Sequence, residues 1–184
     1  MRKLKLYIAN SVDGFIATKS GDIDWLTDPD NSDKNPNKYG YLDFYNSVDT
    51  TLMGYNTYEK ILGFDVPFPY PDKKNYVFSK KHKQKESNPV QFIKNDPVEF
   101  VSLLKQEDGK DIWLIGGSQI NSILLNSDLI DEIILSIIPV VLTEGIPLFI
   151  GIEGQKRFKV VETKTYDNSL VQIIFRKKLA QSND

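Results

Sequence analysis

The chain has 184 residues with 23 basic and 25 acidic side chains, and its net charge of -2 gives no general field to draw in nucleic acid or anionic lipid. At 40% hydrophobic and 26% charged residues it has a globular composition, with no run of ~20 apolar residues to span a membrane. It has no Cys and one His, His82 in the run Lys80-Lys81-His82-Lys83, which excludes a disulfide framework, a thiolate nucleophile and a Cys-based zinc site, and leaves no metal cluster to expect. One domain is expected over residues 1–178, with a frayed tail at 179–184. A Cys-free chain that enters a strand at once, with no apolar leader, is expected in the cytoplasm.

Lys3 to Ala9 alternates as a strand, with Leu4, Leu6 and Ile8 on one face and Tyr7 and Ala9 on the other. Asn10-Ser11-Val12-Asp13-Gly14 carries the residues of a turn before Phe15-Ile16-Ala17 resumes an apolar stretch. Ala9 is small enough for a flat ring to lie against the backbone, while Asp13-Gly14 reads first as a turn pair. Trp25 follows in Gly21-Asp22-Ile23-Asp24-Trp25-Leu26, as a pocket cap or a core residue, and the polar run 27–38 reads as a loop. Tyr39 to Val48 has the apolar spacing of a short helix in which Asp43 is the one acid. Between aromatic neighbours such a carboxyl holds its proton to higher pH and serves as an acid; on an exposed helix it is a solvated charge.

Thr50 to Gly54 predicts a second strand ending in Gly, and Asn56-Thr57-Tyr58-Glu59 a helix capped by Asn or Thr. Asn75 to Phe78 gives a further strand, followed by Ser79, Lys80 and Lys81 as a hydroxyl and cations for a ligand or as a solvated basic loop. Val90 to Ile93 is a short strand, and Pro97 to Lys105 a helix with Pro in its first turn.

The most specific stretch is Asp111 to Ile120. Ile112 to Ile115 is an apolar run of the kind covered on both faces in a parallel sheet; Gly116-Gly117 follows, and Ile120, Ile123 and Leu124 recur at helical spacing. Adjacent glycines at a strand-to-helix turn leave the first helical amides facing outward, where they attract an anion, usually phosphate. A nucleotide pyrophosphate on Gly116, Gly117 and the amides of Ser118, Gln119 and Ile120 is one reading; a tight turn without ligand is the other. Glu132 to Ile138 is an apolar strand interrupted by Ser136, whose hydroxyl needs a partner if buried. Pro139 to Phe149 reads as irregular, and 158–165 with 170–176 as a closing hairpin.

In this order the pieces resemble the dihydrofolate reductase superfamily, and within it the C-terminal reductase domain of the bacterial riboflavin-biosynthesis protein RibD. The resemblance spans nearly the whole chain. It rests on Ile8 to Ala17, Asp24-Trp25-Leu26, Leu52 to Glu59, Val77-Phe78-Ser79-Lys80, Trp113 to Gly117, and Ile138 to Leu142 with Gly145 to Phe149. It implies an α/β three-layer fold: a central, mostly parallel sheet with helices on both sides and an antiparallel C-terminal hairpin, binding NADPH at the sheet's C-terminal edge. By matching positions, Ala9 and Ile16 would contact the nicotinamide. Gly54, Tyr55, Asn56 and Thr57 would meet the pyrophosphate from one helix start, and Gly117, Ser118, Gln119 and Ile120 from the other. Ser79 and Lys80 would flank the adenosine 2′-phosphate. Ser136 would lie behind a pterin-like ring, with Asp13 and Trp25 also on the substrate side.

Two positions depart from the family. Tyr55 stands where Arg is usual and cannot make a charged fork to phosphate, so NADPH preference leans on Lys80, with NADH the alternative. Thr143 stands where Gly is common. The substrate acid of dihydrofolate reductases has no counterpart in register; Asp43 is the first candidate, with Asp13 and Asp24 its rivals. The resemblance implies hydride transfer to a pyrimidine ribosyl phosphate such as 5-amino-6-(5-phosphoribosylamino)uracil, or to a related heterocycle such as a dihydropterin. The alternative is a nucleotide-binding module that kept the fold without turnover. A homodimer through an apolar strand surface near Ile133 to Val141 is compatible with either.

Overall fold

The computed structural model describes residues 1–26, 38–81 and 89–178. His82, the tail at 179–184 and the polar run at 27–37 lie outside the described residues. In chain order the elements are β1 (Leu4–Ser11), β2 (Phe15–Ala17), α1 (Tyr41–Ser47), β3 (Val48–Gly54), α2 (Tyr55–Leu62), β4 (Lys74–Phe78), β5 (Gln91–Ile93) and α3 (Pro97–Leu104). They continue as β6 (Asp111–Gly116), α4 (Ser118–Asn126), β7 (Glu132–Ile138), β8 (Ile146–Pro147), β9 (Phe158–Thr165) and β10 (Val171–Lys177).

Eight strands form one sheet in the order β5-β4-β3-β6-β1-β7-β10-β9. The pairs from β5 to β7 are parallel, and β10 and β9 close the sheet as an antiparallel hairpin. This is the mostly parallel sheet with antiparallel hairpin expected from the sequence. Strand alternation sorts the core into two layers. Leu4, Leu6, Leu52, Ile112 and Leu114 pack with Val101 and Leu104 of α3 and Ile120 and Leu124 of α4. On the other face Val48, Met53, Val77 and Trp113 pack with Phe44 of α1 and Tyr58 and Ile61 of α2. Trp113 meets the ring edges of Tyr70 at 5.1 Å and Phe44 at 5.3 Å between centroids. A fully buried Leu or Ile such as Leu114 or Ile112 contributes about 1.5–3 kcal/mol by leaving water.

Four local expectations change. The helix over 39–48 begins at Tyr41 and ends at Ser47, where the Val48 amide caps it onto Tyr45 and the chain passes straight into β3. Helix α2 starts at Tyr55 with Gly54 as its N-cap and no capping side chain, so Asn56 and Thr57 lie inside its first turn instead of capping it. The irregular segment after β7 contains β8, which pairs antiparallel with β2. The surface near Ile133 to Val141, named for a homodimer, is partly interior to the monomer, with Leu135, Ile137, Ile138 and Val140 half-buried. β7 is paired along both edges, by β1 and β10, and Ile133 and Ile134 are buried; Val141 alone of the large apolar side chains there is widely exposed.

Candidate functional site

The C-terminal edge of the parallel strands carries two uncapped helix starts. Gly54 precedes α2 and Gly117 precedes α4, and neither turn has a side-chain cap. β3 and β6 are neighbours in register at Met53 and Gly116, so the two turns lie side by side. A Cβ on Gly54 would stand 3.9 Å from the Gly116 carbonyl oxygen and from Ile120 Cγ2. A Cβ on Gly117 would stand 3.2 Å from Thr57 Oγ1 and 3.9 Å from Ile16 Cδ1. Gly116 takes φ 120°, closed to most side chains, and a cis peptide bond joins it to Gly117. Ile16, Gly54, Thr57, Gly116, Gly117 and Ile120, named from the sequence and its family resemblance, thus lie together in space. Two helices start side by side without side-chain caps, and helix starts attract anions.

Polar atoms left without partners lie at the same place. Ser118, the first residue of α4, is 7% exposed, and its hydroxyl has no hydrogen-bond partner among the described residues. Asn121, one turn on, donates Nδ2 to the Leu148 carbonyl at 3.3 Å while its Oδ1 is buried without a partner. Buried polar atoms are ordinarily satisfied, so a cluster of exceptions at one turn asks for an explanation. Gln119 and Asn56 are exposed at the same two helix starts.

The flanks follow from the sheet register. Gly54 pairs with Phe78, so Ser79 and the exposed Lys80 leave β4 beside the Gly54 turn, with the Ser79 amide donating to the Ile93 carbonyl at 3.0 Å. Tyr55 is half-buried against Phe92 and Tyr58, with ring centroids 6.3 and 6.2 Å away. On the face shared with α1, Ala9 stands opposite Ser136, and Ser136 opposite Gln172. Ser136 is buried, and its hydroxyl accepts from Gln172 Nε2 at 3.2 Å. Gln172 escapes sequence reading because it is one polar residue in an alternating hairpin strand; only the pairing of β10 with β7 brings it to Ser136.

Three expected substrate-side residues have different surroundings from those anticipated. Asp13 accepts from Ser11 Oγ at 2.6 Å and from the amides of Leu142 and Thr143 at 3.1 and 2.7 Å. The Ser11 hydrogen bond, followed by these amides, holds its carboxyl below the ordinary range. It ties two loops together. Thr143 takes φ 65°, a left-handed position that accounts for the common Gly there. Asp43 is exposed on α1, because helical spacing turns Phe44 into the core and leaves the carboxylate outside; the aromatic enclosure expected around it does not form. Trp25 lies in a one-turn 3-10 helix, Asp24–Leu26, half-buried with its indole N–H enclosed and without a partner among the described residues. The segment before it is held to α2 by Lys60 and Asp22, 3.1 Å apart.

Fold and site together define a dihydrofolate reductase-like α/β protein. Its sequence matches the family profile described as RibD C-terminal domain over residues 71–172. The chain belongs to the RibD C-terminal domain family. The uncharacterized protein YwjB of Bacillus subtilis strain 168 is 40% identical over 92% of this chain and 95% of its own length. YyaP of the same organism, also uncharacterized, is 37% identical over 95% and 94%. A crystal structure from Shewanella sp. PV-4, provisionally assigned to riboflavin biosynthesis, superposes with a TM-score of 0.83 at 31% identity, covering 96% of this chain and 99% of that one. A diaminohydroxyphosphoribosylaminopyrimidine deaminase/5-amino-6-(5-phosphoribosylamino)uracil reductase of Thermotoga maritima shares the fold at a TM-score of 0.71 and 20% identity, covering 96% of this chain and 57% of that one.

Proposed function

We propose that the protein is an NAD(P)H-dependent reductase that transfers hydride to a pyrimidine ribosyl phosphate such as 5-amino-6-(5-phosphoribosylamino)uracil, with a dihydropterin as the second substrate class. The observation that carries this reading is that two uncapped helix starts, each preceded by a glycine, Gly54 and Gly117, lie side by side at the ends of neighbouring strands. The residues present fit a dinucleotide. The amides of both turns suit a diphosphate, Ser118 has an unspent hydroxyl, Ala9 and Ile16 offer a small apolar floor, and Lys80 offers a cation beside the Gly54 turn. Tyr55 supplies an aromatic wall where a guanidinium would otherwise hold a 2′-phosphate, so NADH remains the alternative cofactor.

When bound, the cofactor supplies the hydride. The chain's own part is positional: the two turns fix the diphosphate, Ala9 and Ile16 set the depth of a flat ring, and the Ser136 side of the sheet holds the substrate against it. The riboflavin-biosynthesis assignment of the Shewanella protein supports a pyrimidine substrate.

Titration with NADPH and NADH, followed by the fluorescence of Trp25 and Trp113 and then by cofactor oxidation with candidate pyrimidines and dihydropterins, tests the reading. Quenching with turnover is expected. No response to either cofactor at millimolar concentration overturns it. Binding without turnover favours the second reading, a nucleotide-binding module, to which Tyr55 and the exposed setting of Asp43 lend support.

A further inference from the structure

At the far end of α4 from Gly117, where the helix meets the base of the β9–β10 hairpin, a cavity of about 340 Å³ opens at the surface. Its floor is apolar: Leu125 and Ile130 are 6% and 1% exposed, and Phe158 is half-buried against the same core. Its rim carries Lys156, Arg157, Lys177 and Lys178 against one carboxylate, Asp128. Neither pair of cations announces a site in sequence, since each reads as solvated surface charge. The hairpin register brings the pairs together. Phe158 stands opposite Lys177, and the Lys178 amide donates to the Arg157 carbonyl at 3.3 Å.

The four cations divide by what they already hold. Lys156 Nζ donates to the Asn126 carbonyl at 3.0 Å and lies 3.2 Å from Asp128 Oδ2, while Lys177 Nζ donates to the Asp128 carbonyl at 2.5 Å. Both close the carbonyl end of α4, where a helix carries partial negative charge. Arg157 and Lys178 are exposed and make no such contact. The Arg157 guanidinium meets the neutral Gln155 Oε1 at 3.4 Å, beyond the ordinary range, and neither cation pairs with a carboxylate among the described residues. Acids at the neighbouring start of β7 are taken, Asp131 by Lys105 and Glu132 by Arg176.

Two uncompensated cations on adjacent backbones thus stand over a concave apolar floor. Such a floor excludes the water that would screen them, so their fields add in the cavity and favour an anion there. A phosphate monoester meets the demand best: it carries close to two negative charges at neutral pH, and its three outer oxygens can take a guanidinium fork and an ammonium together. The volume lies at the small end of the range for ligand pockets, about 300–1,000 Å³, which limits the apolar body to something near the size of one ring.

We propose that this cavity is a second ligand site, for a small organic phosphate whose phosphoryl group meets Arg157 and Lys178 and whose apolar body lies on Leu125, Ile130 and Phe158. It does not rest on the reductase reading, because the two glycine turns lie at the other end of α4.

Phenyl phosphate titrated into the isotope-labelled protein, with amide NMR shifts followed residue by residue, tests the proposal. Saturable shifts are expected at residues 156–158 and 177–178, with inorganic phosphate and benzyl alcohol each binding there at least fivefold more weakly, since each keeps only one half of the ligand. Arg157→Ala and Lys178→Ala should each raise the phenyl phosphate dissociation constant at least fivefold. Both side chains are exposed, so both variants should keep the wild-type melting temperature. Shifts confined to the Gly54 and Gly117 turns, inorganic phosphate as tight as phenyl phosphate, or wild-type affinity in both variants overturns the proposal. Sedimentation with phosphatidylcholine vesicles containing phosphatidic acid separates a free phosphate from a lipid headgroup: the protein is expected to stay in solution, and pelleting lost in Arg157→Ala, without phenyl phosphate shifts, overturns the small-ligand assignment. Shifts at 156–158 in a protein whose glycine turns ignore NADPH and NADH overturn the reductase reading and leave this site standing.

Discussion

The central strands begin and end at two edges finished in opposite ways. At the N-terminal edge, Arg2, with 2% of its side chain exposed, pairs with Asp49 and donates Nη2 to Thr50 Oγ1 at 2.7 Å and Nε to the Lys110 carbonyl, with only its Nη1 lacking a partner among the described residues. Lys105 Nζ reaches Asp131 and the Leu129 carbonyl, while Asp131 also accepts the Leu4 amide at 2.7 Å. Asp111 accepts the Lys3 amide at 2.9 Å and pairs with Lys5 at 2.8 Å. Even the glycine there is hemmed in: a Cβ on Gly109 would lie 2.7 Å from Asp49 Oδ2. At the C-terminal edge the neighbouring strands β3 and β6 end in Gly54 and Gly116, and the helices that follow have no side-chain caps. The Ser118 hydroxyl and Asn121 Oδ1 are buried there without partners. Hydrogen bonds already made hold a fold together but have nothing left to offer a ligand. An edge that withholds them costs stability and keeps the capacity to bind.

The largest effect should come from breaking the finished edge. Asp49→Ala leaves the Arg2 guanidinium buried without its counter-charge and should lower unfolding stability by about 3 kcal/mol in a denaturant titration, with NADPH affinity unchanged. Comparable loss of cofactor binding would mean the two edges are not independent.

Acid sharpens the same contrast. Burial pushes the Asp49 carboxyl up, and the hydrogen bonds from Thr50 and the Lys110 amide with the Arg2 charge outweigh it, holding the group below 3.8. Burial likewise opposes, and Lys5 and the Lys3 amide outweigh, at Asp111. Folded values below the unfolded one give stability that is complete above about pH 4 and lost as the pH falls through them. Thermal denaturation of the wild type should weaken through that window, and Asp49→Ala should flatten the loss; an unchanged acid limb would deny Asp49 its part.

At the open edge, Gly117→Val adds bulk 3.2 Å from Thr57 Oγ1 and should raise the NADPH dissociation constant at least tenfold, about 1.4 kcal/mol, in a folded protein. Normal affinity would show that the diphosphate lies elsewhere. Lys80→Ala should be the smallest change, weakening NADPH about threefold, about 0.7 kcal/mol, and NADH hardly at all. Equal losses would remove the reason to expect the phosphorylated cofactor.

Much of the open edge was legible in the sequence because glycines at strand ends and apolar period are local signals. Gly54, Gly116, Gly117 and Ile120 could be named one by one, and so could the buried strand Ile112 to Ile115, while Ile16 came only from the family resemblance. The finished edge was not legible. Nothing near Arg2 in sequence announces Asp49 or Lys110, since their contact is made by strands that the sheet order brings together. The setting of Asp43 stayed open for a related reason: the spacing of α1 identified its aromatic neighbours but not which way the helix would face once docked.

The order of apolar runs and glycines by itself determined that buried strands run into glycines near residues 54 and 116 and that a helix follows each. Both follow from backbone freedom and hydrophobic period, properties of short segments. Only the tertiary structure decided that those two starts lie side by side and that Asp13 accepts from the amides of Leu142 and Thr143. It alone decided that Gln172, far along the chain, meets Ser136, Tyr7 and Tyr39. Such contacts depend on strand order and register, and no local preference encodes which distant strand becomes a neighbour.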